Sequence, residues 1–367
     1  MGLLETLGLQ FFEITFCGCM VLMVYACLQK VVLVSCCVGL ILFYTFRVIQ
    51  ERGTEQIIPD GRYVLITGCD TGIGKALAKR LAAQGFNVLA TCLDVNSNGA
   101  SELTKAGGEK MHVLPLDVTS EESVEACAKT VQHILGDKGV WAIVNNAGVI
   151  GMGDVELLTM DMYKRLADVN LFGMIRTTKA FLPMIRKCKG RVINVTSVRG
   201  IVAFPANSSY VVSKFGAEGF SDCLRMEMKR FGVKVVIVEP GNFGGATALW
   251  DEANVQRMKN ANVEMMSAAS HDVITAYGPR YLDTMFEGAV KGCSTSFPNV
   301  EPVMAALVAS VRSISPQNRY LVDGSNQWFD IDCVMARLRP FVPVGILDYL
   351  MLKVRGPPPV TAQPEFH

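Results

Sequence analysis

A tyrosine and a lysine four residues apart, Tyr210 and Lys214 in "SSYVVSKFG", open a stretch with helical spacing. Residues so spaced are neighbours on one helix face. An ammonium beside a phenol favours the phenolate and lowers its pKa from about 10. A phenol tuned in this way can take a proton from an alcohol near neutral pH. Ser197 lies thirteen residues earlier, at the end of an apolar run in "VINVTSVRG". A hydroxyl there can hold a substrate oxygen as it passes between alcohol and carbonyl. Singly, each residue has a plainer reading: a surface pair on a helix, or the end of a strand. Together they suggest alcohol–carbonyl interconversion.

Such groups need a scaffold that brings them to one edge. The apolar runs "RYVLITG", "FNVLATCL", "MHVLPLDV", "VWAIVNNAG", "GRVINVTS" and "VKVVIVEPG" follow one another from Arg62 to Gly241. Segments with helical patterning separate most of them, including Lys75–Gln84, Glu121–Leu135 and Asp161–Ile185. Strands that alternate with helices predict an α/β fold, a doubly wound parallel sheet of the Rossmann type. Continuous apolar runs fit strands covered on both faces. Ligands of such sheets sit beyond the carboxyl ends of the strands, and Ser197 ends the fifth run.

The turn after the first run, "TGCDTGIGKA", spaces Gly68, Gly72 and Gly74 as G-x-x-x-G-x-G. Glycines permit a tight turn and a close backbone approach, and the helix that follows offers free N–H groups to a pyrophosphate. An acidic side chain after the second strand can bind the 2′-hydroxyl of NAD and repel a 2′-phosphate. Asp94 stands there, and positions 69–73 and 91–97 hold no Arg or Lys. NAD is therefore expected in preference to NADP. Asp94 has the plainer reading of a turn former.

Bulk properties exclude other classes. The 367-residue chain carries 35 Lys and Arg against 34 Asp and Glu, so no field for nucleic acid arises. Its 12 cysteines form no C-x-x-C pair, and its 4 histidines show no zinc spacing. No metal site is expected, and the thiols read as free.

The N-terminal stretch Ile14–Phe46 is interrupted by strongly polar groups only at Gln29 and Lys30. It reads as a transmembrane anchor, one span or a tight two-span hairpin, since a span needs ~20 apolar residues. A cleaved signal peptide fits poorly, because Glu5 stands where a basic region belongs. Arg47 and Arg52 place the following region on the cytoplasmic side. The expected organisation is an anchor over 1–52, a linker over 53–60, a dehydrogenase domain over 61–352 and a Pro-rich flexible tail over 353–367.

"TGCDTGIG", "NNAG" at Asn145–Gly148, Asn170 in "DVNLFG", Ser197, "YVVSK" and "EPGNF" occur in the order found in short-chain dehydrogenases/reductases, and the chain resembles that family from about Arg62 to Tyr349. "GCDTGIG", "SDCLRMEM" and "VLATCLDVNSNGASEL" resemble its membrane-associated branch of hydroxysteroid, retinol and 3-hydroxybutyrate dehydrogenases. The resemblance implies Tyr210 as acid/base, Lys214 as its modulator and a ribose ligand, Ser197 as the holder of the substrate oxygen, and Asn170 as support for a proton-relaying water. It implies that Gly68, Thr71, Gly72, Ile73 and Gly74 form the pyrophosphate turn, with Asp117 and Val118 beside the adenine. Asn145 would steady the central strands, with Ala147 and Gly148 at the cofactor. Pro240, Gly241 and Thr247 would line the nicotinamide side. One departure concerns the ribose: many NAD-using members carry their acidic residue directly at the end of strand two, where Cys92 stands here.

Substrate choice should lie in the segment after "EPGNF", with Leu249, Trp250, Met258, Met265 and Met266. It reads either as an adaptable apolar lid or as core packing. A membrane anchor and an apolar lid suit a small lipophilic alcohol, a hydroxysteroid or retinoid. A hydroxy acid such as D-3-hydroxybutyrate would need a cation, for which Arg199 is the motif-adjacent candidate. The reading from another class is a catalytically idle, membrane-bound nucleotide-binding module. Family habit suggests association into a homo-oligomer through the helices near Asp161–Ile185 and Tyr210–Phe231. The expected location is a membrane, the endoplasmic reticulum ahead of the mitochondrial.

Overall fold

The computed structural model describes residues 55–247, 252–293 and 295–355, together with residues 23, 38, 39, 41 and 42. The chain divides into two units, Met1–Gln56 and Ile57–His367. In the first, the five described residues are helical. The rest of the expected anchor lies outside the described residues, and among those described no helix is long and apolar enough to cross a membrane.

The second unit is built on seven parallel strands in the order β3-β2-β1-β4-β5-β6-β7. They are β1 (Tyr63–Ile66), β2 (Asn87–Cys92), β3 (Met111–Pro115), β4 (Val140–Asn145), β5 (Arg191–Val195), β6 (Lys234–Pro240) and β7 (Arg319–Val322). Six coincide with the apolar runs; the edge strand β7 was not among them. The order reverses between β1 and β4, which opens a crevice at that point.

Alternate side chains of β1 go to opposite faces. Val64 and Ile66 pack under α1 (Gly72–Ala83), α2 (Asn98–Gly107) and α10 (Glu301–Arg312) through Leu77, Leu81, Leu103, Val303 and Leu307. Leu65 packs on the other face with α3 (Glu121–Leu135), α5 (Met174–Lys187) and α6 (Ser208–Met228), through Val131, Phe181, Ile185 and Leu224. Both faces are dry, which explains why the strands read as unbroken apolar runs.

The segment expected as one helix over Asp161–Ile185 is divided. α4 (Met160–Ala167) passes into a π-helical stretch, Asp168–Gly173, before α5 begins. Such wide turns are frequent at functional sites, and this one carries Asn170. After β6 come α7 (Glu252–Ala268), α8 (His271–Tyr277) and α9 (Tyr281–Cys293), which pack together with the segment around Leu157–Met162. Met265 is fully buried against Leu157, Leu158, Met162 and Leu282, so core packing holds this helix down. Leu249 and Trp250 lie outside the described residues. The chain closes with α11 (Ile331–Leu338) and α12 (Val344–Arg355). The expected tail is therefore helical through Arg355, and its remaining residues lie outside those described.

Candidate active site

The glycine turn and the "NNAG" segment are one hydrogen-bonded unit. Thr67 Oγ1 accepts the N–H groups of Asn146 and Ala147, both at 3.0 Å. Asn146 Nδ2 donates to the Thr67 and Gly68 carbonyls at 2.9 and 3.0 Å. Bare backbone is obligatory here. A Cβ on Gly68, whose φ is +69°, would stand 2.9 Å from the Ala147 Cα. A Cβ on Gly74 would stand 2.3 Å from the Gly68 carbonyl oxygen. Thr71 makes no side-chain cap at the start of α1, which leaves the N–H groups of that first turn, around Gly72 and Ile73, without a capping side chain. These residues fit a dinucleotide's pyrophosphate. Nearby, Asp117 is turned onto its own loop: its Oδ1 accepts the Thr119 N–H at 2.9 Å and hydroxyl at 2.7 Å. Val118, beside it, is buried against Gly173 of the π-helical stretch.

The structure distinguishes two carboxylates near β2. Asp94 is exposed and its Oδ1 accepts the Asn96 N–H at 2.9 Å. Asp70, inside the glycine turn, reaches across: its Oδ1 accepts the N–H of Leu93 at 3.0 Å and of Asp94 at 3.3 Å. A negative charge thus stands against the carboxyl end of β2, supplied by the first loop rather than by the strand itself. Sequence reading missed it because the search for an acid began after β2. The available signal was an aspartate two residues beyond Gly68, in the turn that follows β1, the strand paired in register with β2.

Asn145 ties the centre of the sheet. Its Nδ2 donates to Thr178 Oγ1 at 2.9 Å and Asn194 Oδ1 at 2.8 Å, while Oδ1 accepts from Thr177 at 2.7 Å. Asn170, fully buried, holds both polar groups of Val149 at 2.8 and 2.9 Å and donates to Ser213 Oγ at 3.0 Å. It also converges on Gly148 and Lys214: a Cβ on Gly148 would lie 3.2 Å from Asn170 Oδ1 and 3.8 Å from Lys214 Nζ.

Ser197, Tyr210 and Lys214 come together at the carboxyl end of β5. The Ser197 hydroxyl accepts the Arg199 N–H at 3.1 Å and donates to the Pro240 carbonyl at 3.5 Å, and it is near enough to the Tyr210 phenol to pull its pKa down. Lys214 Nζ sits 5.6 Å from the Tyr210 ring centroid and donates to the Val195 carbonyl at 3.1 Å. The expected lowering of the phenol's pKa by its lysine is reversed in this chain. Burial pushes the Tyr210 phenol up, against the Ser197 hydroxyl and the Arg199 guanidinium, which pull it down. Burial likewise lowers Lys214 to about 8, opposed by Glu218. Desolvation outweighs pair attraction at both groups, Lys214 being buried and Tyr210 partly so. The neutral phenol is thus a proton donor. Its use as a base requires a further positive charge, which the ring of an oxidised nicotinamide would bring.

On the far wall, Pro240 ends β6 and Gly241 donates to the Val322 carbonyl at 2.8 Å. Thr247 Oγ1 donates to the Gly244 carbonyl at 3.1 Å. Arg199, the candidate cation for an acidic substrate, is paired on one side: its Nη2 donates to Asp332 Oδ2 at 2.7 Å and its guanidinium lies over the Phe204 ring, while its buried Nη1 has no hydrogen-bond partner among the described residues.

A model of the family described as short chain dehydrogenase matches residues 62–257. The chain belongs to the short-chain dehydrogenase family. It is 41% identical over 264 residues to the mitochondrial D-beta-hydroxybutyrate dehydrogenase of Rattus norvegicus, covering 71% of this chain and 76% of that one. It is 35% identical to the 17-beta-hydroxysteroid dehydrogenase type 6 of Homo sapiens, covering 85% and 94%. It is also 35% identical to Homo sapiens retinol dehydrogenase 16, covering 86% and 96%. Among solved structures, a short-chain dehydrogenase from Streptomyces avermitilis superposes with a TM-score of 0.54 at 24% identity, covering 80% of this chain and 94% of that one, and supports the fold. This dehydrogenase acts on CH–OH groups, as the family and its alcohol dehydrogenases do.

Proposed function

We propose that this dehydrogenase uses NAD to interconvert a lipophilic alcohol, a hydroxysteroid or retinoid, and its carbonyl. The convergence of Ser197, Tyr210 and Lys214 at the end of β5 carries the catalytic part of the reading. Ser197 holds the substrate oxygen and Tyr210 exchanges its proton. Lys214 keeps positive charge beneath the ring, and Asn170 fixes the helix that bears them through Ser213. When bound, the nicotinamide accepts or gives the hydride. Asp70 and Asp94 are the negative groups near the ribose position that favour NAD over NADP.

The substrate class rests on the Arg199–Asp332 pair. A guanidinium that shares its charge with a buried carboxylate offers a hydroxy acid less binding than an unpaired one. The stretch Ile14–Phe46, which we read as a membrane anchor, suits a substrate that partitions into lipid. A second reading, D-3-hydroxybutyrate oxidation, is favoured by the 41% identity to the mitochondrial hydroxybutyrate dehydrogenase. Turnover of the full chain in detergent decides: hydroxysteroids, retinol and D-3-hydroxybutyrate are each offered with NAD and with NADP. Activity on steroid or retinoid with NAD is expected. Activity on hydroxybutyrate alone would install the second reading, and turnover preferring NADP would remove the cofactor assignment.

A further inference from the structure

The loop before α11 lies outside the residues matched by the family model, which end at 257, yet it grips the active-site wall. Asp330 is 2% exposed. Its Oδ2 accepts the Asn242 N–H at 3.0 Å and the Gly324 N–H at 2.9 Å. Its Oδ1 accepts the N–H groups of Asp332 at 3.0 Å and Cys333 at 3.4 Å, which caps α11. One carboxylate therefore joins the turn after β6, the loop after β7 and the start of a C-terminal helix.

The approach is as close as backbone allows. A Cβ on Gly241 would stand 2.2 Å from Asp330 Oδ2, and one on Gly324 would stand 2.4 Å from the Asn242 nitrogen. Burial alone would raise the Asp330 carboxyl, but the four N–H groups hold it below the ordinary range, so it remains an anion. Hydrogen bonds to an ionised acceptor are roughly twice as strong as neutral ones. Two residues on, Asp332 pairs with Arg199, whose own N–H reaches Ser197 Oγ. The first turn of α11 thus touches both walls of the site, through the post-β6 turn and through the post-β5 turn.

We infer that Asp330 is a positioning residue for hydride transfer: its carboxylate fixes the Gly241–Asn242 turn, and through it the face against which the nicotinamide ring is held. The inference rests on the reading that Pro240 and Gly241 line the nicotinamide side. It goes beyond that reading by assigning a functional part to a residue remote from every motif in the sequence. A displacement of the ring by about 1 Å costs on the order of 100-fold in rate, and a turn released from its charge-assisted bond to Asp330 can move that far.

The test compares full-length wild type, Asp330→Asn and Asp330→Ala, with active sites counted by NADH fluorescence titration. The measurements are kcat per site, the deuterium isotope effect on kcat with carbinol-deuterated alcohol, and the melting temperature. The expected result is a fall in kcat of about 100-fold per NADH-binding site, with an isotope effect larger than in wild type, because hydride transfer itself has slowed. A role in stability alone would lower the melting temperature and the number of sites but leave kcat per site and the isotope effect unchanged, and that result overturns the inference. Loss of the fold in both variants would likewise assign Asp330 to stability and overturn it. Wild-type protein that binds no NADH would instead defeat the nicotinamide reading, and this inference with it.

Discussion

The two halves of the sheet hold their loops by different physics. From β1 to β4 the glycine turn and the "NNAG" segment are set by bare backbone and neutral hydrogen bonds, through Gly68, Gly74, Thr67 and Asn146, with Asp70 and Asp117 holding the neighbouring loop ends. From β5 to β7 they are set by buried charge. Arg319 bonds Glu218 and Glu239, both at 2.5 Å, and Asp222 at 2.7 Å, while Asp330 and the Arg199–Asp332 pair secure the two walls. The first half should be intolerant of volume at its glycine turn and only weakly sensitive to pH. The second, where Gly241 and Gly324 are approached as closely, should be intolerant of volume there too and should respond in addition to charge and pH. A half that binds a constant cofactor needs shape; a half that moves a proton sits among groups whose ionisation matters.

The largest separation between the halves should come from Arg319→Met. It leaves Glu218 and Glu239 without their cation, while Asp222 keeps Arg225 at 3.1 Å. The expected loss is about 3 kcal/mol of stability at pH 8, the lower end of the range because the guanidinium is 38% exposed. Urea unfolding at pH 8 measures it; a loss below about 1 kcal/mol would mean the network is not what ties β6 and β7 to α6. Gly74→Ala attacks the other half. The new methyl meets the Gly68 carbonyl, so NADH affinity should fall by about 100-fold and equally at pH 6 and pH 8, as the overpacking cost of 1–3 kcal/mol suggests. Isothermal titration at both pH values checks it, and a pH-dependent loss would blur the division.

A smaller effect sharpens the cofactor assignment. Asp70→Asn should raise the ratio of kcat/KM for NADP over NAD by about tenfold, on the order of 1 kcal/mol for one like-charge contact near the surface. An unchanged ratio would return the ribose role to Asp94. The smallest is a slope. Burial and the neighbouring Glu218 raise Glu239 from its ordinary 4.5 to about 7. A carboxyl raised on folding binds its proton more tightly in the native state, so its contribution is present below pH 4.5 and is lost as pH rises through about 7. Glu239→Gln should therefore flatten the decline in melting temperature between pH 5 and pH 8 by a few degrees, and an identical slope in both proteins would contradict this assignment.

The same division explains what the amino-acid sequence disclosed. Six strands were legible because each is apolar on both faces. β7 was not, because it is a four-residue edge strand whose residues are all only partly buried. The glycine turn, Ser197, Tyr210 and Lys214 were legible because short-range spacing carries their chemistry. Asp70 escaped because its partners lie on a different strand, at Leu93 and Asp94. Asp330 and Asp332 escaped because nothing local marks them: their partners, Asn242 and Arg199, are 88 and 133 residues away. The π-helical break at Asn170 escaped because helical periodicity continues through it. The direction of the Tyr210 shift escaped for a further reason. Pair attraction can be read from spacing, whereas burial is a property of the folded chain.

The central claim is that the Tyr210 hydroxyl exchanges the substrate's proton, and Tyr210→Phe tests it by removing that one oxygen. Alcohol-dependent NADH formation should fall by 10²–10⁴-fold, the range expected of a lost general acid/base, while NADH binds within about threefold of wild type, well under 1 kcal/mol. Turnover within tenfold of wild type in a variant that still binds NADH would show that the proton travels by another group, and the account of this site would be wrong.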